Sequence, residues 1–268
     1  MKEYIRGLVK SLRDQSKSRL IVREYLQARI LDALQENGAF VSWAFIGGTA
    51  LRFLYNMPRF SEDLDFSLVS GDENDNFLFH IDTIKKTFEA ENYSIDSKID
   101  DNPPVKYAFI KFDGLLYEIG LSAHEREKLS IKVDIDTNPP EGAGFETSII
   151  RKYTFLHLLH YDKSSLFAGK LHAFLSRRYH KGRDLYDLMW YLTDPSVSEP
   201  NITLLNNALI QTGWKGGVIN SKNWRSQVAE KLDELNWKRA LDDLRPFIEN
   251  QQELVILTPE NFKKQLYG

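Results

Sequence analysis

The stretch Phe45-Ile46-Gly47-Gly48-Thr49-Ala50-Leu51-Arg52, followed by Arg59-Phe60-Ser61-Glu62-Asp63-Leu64-Asp65-Phe66, constrains this chain more than any other. An apolar run from Val41 to Ile46 enters the two glycines and reads as a buried strand. Thr49 to Tyr55 then read as a short helix, with Leu51, Leu54 and Tyr55 on one side. A glycine turn before a helix N-terminus lets backbone N–H groups approach a phosphate closely, where the helix dipole favours negative charge. Downstream, Leu64, Phe66 and Leu68 alternate with Asp63, Asp65 and Ser67, which predicts a strand with both aspartates on one face. Two carboxylates side by side repel unless a cation lies between them. Mg²⁺ suits such a place, because it takes few protein carboxylates and completes its octahedron with phosphate oxygens and water.

These residues resemble the DNA polymerase β-like nucleotidyltransferases, and within them the AbiEii/AbiGii toxin-type family. Gly48-Thr49 matches the superfamily's turn, with threonine in place of the commoner serine, and Asp63-Leu64-Asp65 matches its Asp-x-Asp strand. Gly-Gly-Thr-Ala-Leu together with Arg-x-Ser-x-Asp-Leu-Asp-Phe is closer to the toxin-type group than to the superfamily at large. The resemblance implies an α+β fold: a polymerase β-like nucleotidyltransferase core with a mixed sheet, N-terminal helices and a helical C-terminal part.

That superfamily needs a third carboxylate on a neighbouring strand. In Ser130-Ile131-Lys132-Val133-Asp134-Ile135-Asp136, three aliphatic residues face one way while Lys132, Asp134 and Asp136 face the other. Lys132-Val133-Asp134 is similar to the toxin-type Lys-x-Asp pattern, which implies Asp134, with Asp136 as the runner-up. The implied metal set is Asp63, Asp65 and Asp134, holding two Mg²⁺ ions, with Mn²⁺ as the alternative ion. Lys170 and Ala173 reproduce the family's Lys-x-x-Ala segment, so Lys170 joins the catalytic set. Arg183-Asp184-x-x-Asp187-Leu188 is similar to a further family segment, in which Asp184 is the better match to the functional acid. The expected nucleotide-binding residues are therefore Gly47, Gly48, Thr49, Ser61, Lys132, Lys170 and Asp184.

Composition bounds the remaining readings. Zero cysteines remove disulfides, thiolate nucleophiles and cysteine-based zinc sites. No apolar run approaches a membrane span, and no signal-peptide core follows Met1-Lys2-Glu3-Tyr4, which predicts a cytoplasmic protein with no membrane partner. Residues 61–136 carry 18 acidic and 8 basic side chains, whereas residues 145–184 carry 8 basic and 3 acidic. The acidic stretch asks for cations, and the basic one suits a triphosphate or an RNA backbone. The run Arg177, Arg178, Lys181 and Arg183 reads either as a phosphate contact or as a solvated helix end. His157, His160, His172 and His180 match no zinc spacing. P-loop and nucleophile-elbow sequences are absent.

Two helices are predicted over residues 1–37, a helix over Phe77 to Asn92, and strands over Val105–Phe112, Leu115–Leu121 and Leu129–Ile135. Pro139-Pro140 and Gly142-Ala143-Gly144 suggest a domain edge, giving a core over 1–144 and a helical domain over 145–268. The resemblance implies transfer of a nucleoside monophosphate from an NTP to a hydroxyl acceptor, with tRNA 3′ ends as the acceptor for some relatives. It also implies a cognate antitoxin encoded nearby that forms no stable complex. Two other classes stay open on sequence alone: a small-molecule nucleotidyltransferase of the antibiotic-modifying kind, and a non-catalytic nucleotide-binding module.

Overall fold

The computed structural model describes residues 2–10, 12, 14–69, 75–177, 181–196 and 199–268. Its elements are α1 (Lys2–Lys10), α2 (Gln15–Glu36), β1 (Trp43–Ile46), α3 (Gly47–Tyr55), β2 (Leu64–Leu68), α4 (Phe77–Ala90), β3 (Ser94–Asp100), β4 (Val105–Asp113) and α5 (Leu115–Glu118). After these come β5 (Lys128–Asp136), β6 (Phe145–Lys152), β7 (Thr154–Tyr161), α6 (Lys163–Ser176), α7 (Gly182–Thr193), α8 (Ile202–Gln211), α9 (Trp224–Asp233), α10 (Trp237–Leu244) and α11 (Pro259–Tyr267). The chain divides into two compact units: Met1–Asn56, Phe60–Pro139 and Thr147–His160 form the first, and Met57–Arg59, Pro140–Glu146 and Tyr161–Gly268 the second.

The first unit is built on a seven-stranded mixed sheet of order β3-β4-β5-β2-β1-β7-β6. β2 lies at its centre, antiparallel to β1 and parallel to β5. The alternation in β5 is as the sequence implies: Ile131, Val133 and Ile135 are fully buried, and Lys132, Asp134 and Asp136 are half-buried on the other face. Helix α2 starts where the Asp14 side chain accepts hydrogen bonds from the Ser16 and Lys17 amides. It buries apolar residues on most of its sides, Val22, Leu26, Ile30, Leu31 and Leu34 among them. Glu24 on this helix is also buried, where it meets Arg52, Lys152 and the Tyr153 hydroxyl. A buried carboxylate is tolerated because several donors replace its water.

Several stretches differ from expectation, the first being Val41, which is exposed in a 3-10 turn so that β1 starts at Trp43. Residues 115–121 hold the short helix α5 (Leu115–Glu118) and a turn rather than a strand: Gly114 (φ +68°) turns the chain, and the buried residues Leu115, Leu116 and Ile119 follow helical spacing. Strand β3 was not anticipated, because an edge strand with mostly exposed side chains carries little hydrophobic alternation. The helical character expected from residue 145 begins only at Lys163; β6 and β7 precede it, with buried Leu156 and Leu158 alternating with exposed Phe155 and His157. The polar sequence of residues 70–76 implies a turn there, which lies largely outside the described residues.

The second unit is helical. Phe167 of α6 stacks on Tyr191 of α7 at 4.3 Å between ring centroids and meets Trp224 of α9 edge-on. The last helix, α11, starts as the sequence implies, with Pro259 at its first turn and Thr258 Oγ1 accepting the Asn261 N–H at 3.2 Å. Thr258→Ala is expected to lower stability by about 1 kcal/mol, the usual cost of such a cap, in a urea titration with unchanged slope.

Candidate active site

The geometry starts from one line of residues across three strands. Ile46 of β1 pairs with Asp65 of β2, and Asp65 pairs with Asp134 of β5. In-register neighbours point to the same face, so the sheet brings the Asp65 and Asp134 carboxylates alongside each other. Asp63, two residues before Asp65, is close enough for its charge to disfavour ionisation of Asp134. The pKa of Asp134 is raised, first by burial and then by Asp63, with the Lys132 ammonium opposing both.

The glycine turn closes over this line. Gly47 adopts φ +80°, and a Cβ built on it would stand 2.2 Å from Asp65 Oδ2. Only a residue without a side chain lets the Asp65 carboxylate reach the first turn of α3, where the helix dipole favours it. Thr49 is fully buried, and its hydroxyl donates to the Asp63 carbonyl. This contact anchors the chain just before β2. The backbone N–H groups of the first helical turn have no acceptor within the helix, which is the chemistry such a turn can offer an anion. Ser61 is half-buried, and its carbonyl accepts from Gln27 Nε2 at 3.2 Å.

Lys132 Nζ lies 2.7 Å from Asp134 Oδ2 and 4.7 Å from the Tyr107 ring centroid. The other oxygen, Asp134 Oδ1, is buried and has no hydrogen-bond partner. Asp136 differs: its Oδ1 accepts the Asn138 N–H at 2.9 Å, closing a local turn. A buried carboxylate oxygen with no donor is the kind of atom a cation satisfies, which favours Asp134 over Asp136 for that purpose. Three carboxylates are the hard donor set that Mg²⁺ or Mn²⁺ takes. Among the described residues, no group of three or more His, Asp or Glu side chains is already arranged to hold an ion. The chemistry of the donors fits a divalent cation, while their present arrangement does not enclose one.

Lys170 and Asp184 belong to the second unit. Lys170 Nζ lies 2.8 Å from Asp187 Oδ2, and Asp187 also takes a two-pronged contact from Arg59, with Nε and Nη2 each at 2.5 Å. Asp187 has no exposed surface and Arg59 is 1% exposed. Burial alone would raise the pKa of Asp187, but Arg59 and Lys170 outweigh it and hold the group below its ordinary value. Asp184, the better sequence match, instead pairs with Arg177. Lys170 thus meets Asp187 and not Asp184. The segment carries both aspartates and its family likeness favours Asp184, while nothing local in the sequence marks Arg59. Within the basic run, Arg183 lies over the Phe247 ring at 4.2 Å, and Arg178 falls outside the described residues.

The described histidines form no metal group. His160 pairs with Ser148 and His172 with Thr212, while His180 lies outside the described residues. Burial lowers the pKa of His80 and of His172 below 6.5. Lowered histidines keep the folded state short of protons relative to the unfolded chain, so their share of stability is full above pH 6.5 and lost as pH falls through their folded values. The melting temperature is expected to decline from pH 7.5 to 5.5, and a His80→Gln/His172→Gln variant should show a smaller decline over that window.

A glycine turn over in-register carboxylates on a mixed sheet is the arrangement of a nucleotidyltransferase, and comparison with known proteins places the chain more closely. The family model "Nucleotidyl transferase AbiEii toxin, Type IV TA system" matches residues 29–263, and the chain belongs to that family. It is therefore an enzyme of the nucleotidyltransferase class, from a group of toxins that implies an antitoxin partner and a nucleotide substrate. Solved structures share the fold at low identity. A Helicobacter pylori protein assigned as a nucleotidyltransferase is 18% identical, with TM-score 0.53 over 92% of this chain and 90% of that one. JHP933, also from Helicobacter pylori, is 18% identical, with TM-score 0.51 over 92% and 88%. MenT4, a nucleotidyltransferase toxin from Mycobacterium tuberculosis, is 16% identical, with TM-score 0.51 over 98% and 99%. No curated protein sequence matches the chain. Among the described residues, no helix is long and apolar enough to cross a membrane.

Proposed function

We propose that this enzyme transfers a nucleoside monophosphate from an NTP to a hydroxyl of RNA, with the 3′ end of tRNA as acceptor, and that this transfer is its toxic activity in the cytoplasm. The observation that carries the reading is the Ile46–Asp65–Asp134 line beneath the Gly47 turn. Asp63, Asp65 and Asp134 would hold Mg²⁺ or Mn²⁺, which supplies positive charge to the reacting phosphate and acidifies the attacking hydroxyl. The backbone of Gly48 and Thr49 binds the β- and γ-phosphates at the start of α3. Lys170 adds positive charge toward the polyphosphate. The acceptor oxygen bonds to the α-phosphorus, the α–β bridging bond breaks, and pyrophosphate leaves while the hydroxyl proton passes to water. The excess of basic side chains in residues 145–184 supports a nucleic-acid acceptor. The antitoxin acts without forming a stable complex.

Incubation of the protein with total RNA and each α-labelled NTP in turn tests the acceptor. Label on tRNA-sized RNA is expected, from one or a subset of the four nucleotides. Label on no RNA, with pyrophosphate released in the presence of small hydroxyl compounds, would move the acceptor to the small-molecule class.

A further inference from the structure

Arg59 lies four residues ahead of Asp63, yet its partner is 128 positions away on α7. The guanidinium takes Asp187 through Nε and Nη2 at 2.5 Å each, and Lys170 approaches Oδ2 at 2.8 Å. All three residues belong to the second unit. A bidentate arginine–carboxylate pair is a closed, nearly neutral group. Lys170 is then the third party, and the cluster as a whole carries one net positive charge. Were Arg59 absent, Asp187 would have Lys170 as its remaining cation in this cluster, and the two charges would cancel in a place with almost no water to screen them.

We propose that Arg59 is a positioning residue that acts through Asp187. By claiming the carboxylate with its planar fork, it leaves the charge of Lys170 available to a polyphosphate. This rests on the reading that Lys170 meets the NTP polyphosphate, and it adds a residue that touches no substrate itself. Its content is electrostatic: what matters is the net charge of the Arg59–Asp187–Lys170 cluster rather than the presence of the pair. A lysine cannot reproduce the fork but does reproduce the charge.

Inorganic tripolyphosphate, which has no base to recognise, is the probe, titrated calorimetrically into the full chain in magnesium buffer. Lys170→Met is the reference and should weaken binding roughly tenfold or more, the loss that follows removal of one charge-assisted contact. Unchanged binding in that variant would remove the underlying reading of Lys170 and leave Arg59 with nothing to position. Given the reference loss, Arg59→Met should weaken binding to a similar extent. The double variant Arg59→Met/Asp187→Asn restores one net positive charge, and its affinity should return close to that of the unmodified protein. A purely structural role for the pair predicts no such recovery. If Arg59→Met does not fold, the double variant carries the test alone, because it leaves neither half of the buried pair as an unmatched charge. Arg59→Lys should also bind close to the unmodified protein. A double variant as weak as Lys170→Met would overturn the proposal, and so would a folded Arg59→Met that binds normally.

Discussion

Asp65→Asn is expected to abolish nucleotide transfer, and with it growth arrest on expression, in a protein that remains folded. Asp65 stands in register between Ile46 and Asp134 on the central strand, with its carboxylate against the space that Gly47 leaves open. An amide of the same shape fills that space equally well, so packing is preserved. The change also removes one of several neighbouring negative charges, and the repulsion relieved in the metal-free protein offsets the lost dipole contact at the start of α3, so the melting temperature should stay close to that of the unmodified protein. Catalysis is affected in the opposite sense. Loss of one preorganised electrostatic contact commonly costs about 10²–10³ in rate, and in the proposed metal site the change would also remove an anionic ligand. A fall of several orders of magnitude follows. Transfer and growth arrest are to be measured at expression equal to the unmodified protein. Arrest without transfer would place toxicity in binding rather than chemistry.

Gly47→Ala should be nearly as damaging, for a steric reason. The added Cβ would lie 2.2 Å from Asp65 Oδ2 and 2.9 Å from Asp65 Cγ, distances that real side chains do not tolerate. The backbone at φ +80° is also strained for any residue with a side chain, at a cost of about 1–3 kcal/mol. The protein has to move the carboxylate, the turn or both, and each movement breaks the line across β1, β2 and β5. We expect a melting temperature lower by several degrees and transfer reduced by at least about 10², since small misplacements of catalytic groups carry losses of that size. Gly7→Ala is the control. Nothing lies within 4 Å of a Cβ there, and alanine in a helix should be neutral or stabilising by about 0.5–1 kcal/mol. If Gly47→Ala behaves like Gly7→Ala, the turn has no part in holding Asp65.

Much of the first unit could be read from the sequence because its signals are local. The glycine pair, the Asp63–Ser67 alternation and the Lys132–Asp136 alternation each fit within a few residues, and period-two patterning fixes a face without reference to anything distant. The strand pairing that sets Asp65 beside Asp134 is not local, and the choice between Asp134 and Asp136 came from a family resemblance. The structure adds a physical distinction, since Asp136 is satisfied by its own turn while Asp134 keeps a buried oxygen without a donor. Thr49 shows the limit of motif reasoning. Its place among the expected nucleotide-binding residues comes from the motif, whereas the contact its hydroxyl makes with the Asp63 carbonyl has no trace in the sequence. The Arg59–Asp187 pair was out of reach altogether, because an arginine and an aspartate 128 positions apart give no periodic or compositional trace. The misread stretch at residues 115–121 has a different cause: a short apolar run fits either a strand or one turn of helix, and only the burial of Leu115, Leu116 and Ile119 decides between them.

The central claim is that carboxylates on β2 and β5 serve transfer of the α-phosphoryl nucleotide. The most direct measurement compares NTP labelled at the α-phosphorus with NTP labelled at the γ-phosphorus, each incubated with total RNA, magnesium and either the unmodified protein or Asp65→Asn. The account predicts α-label retained on RNA by the unmodified protein only, γ-label released as pyrophosphate, and neither reaction after magnesium is chelated. Retention of γ-label on the acceptor, or α-label transferred equally by Asp65→Asn, would contradict it.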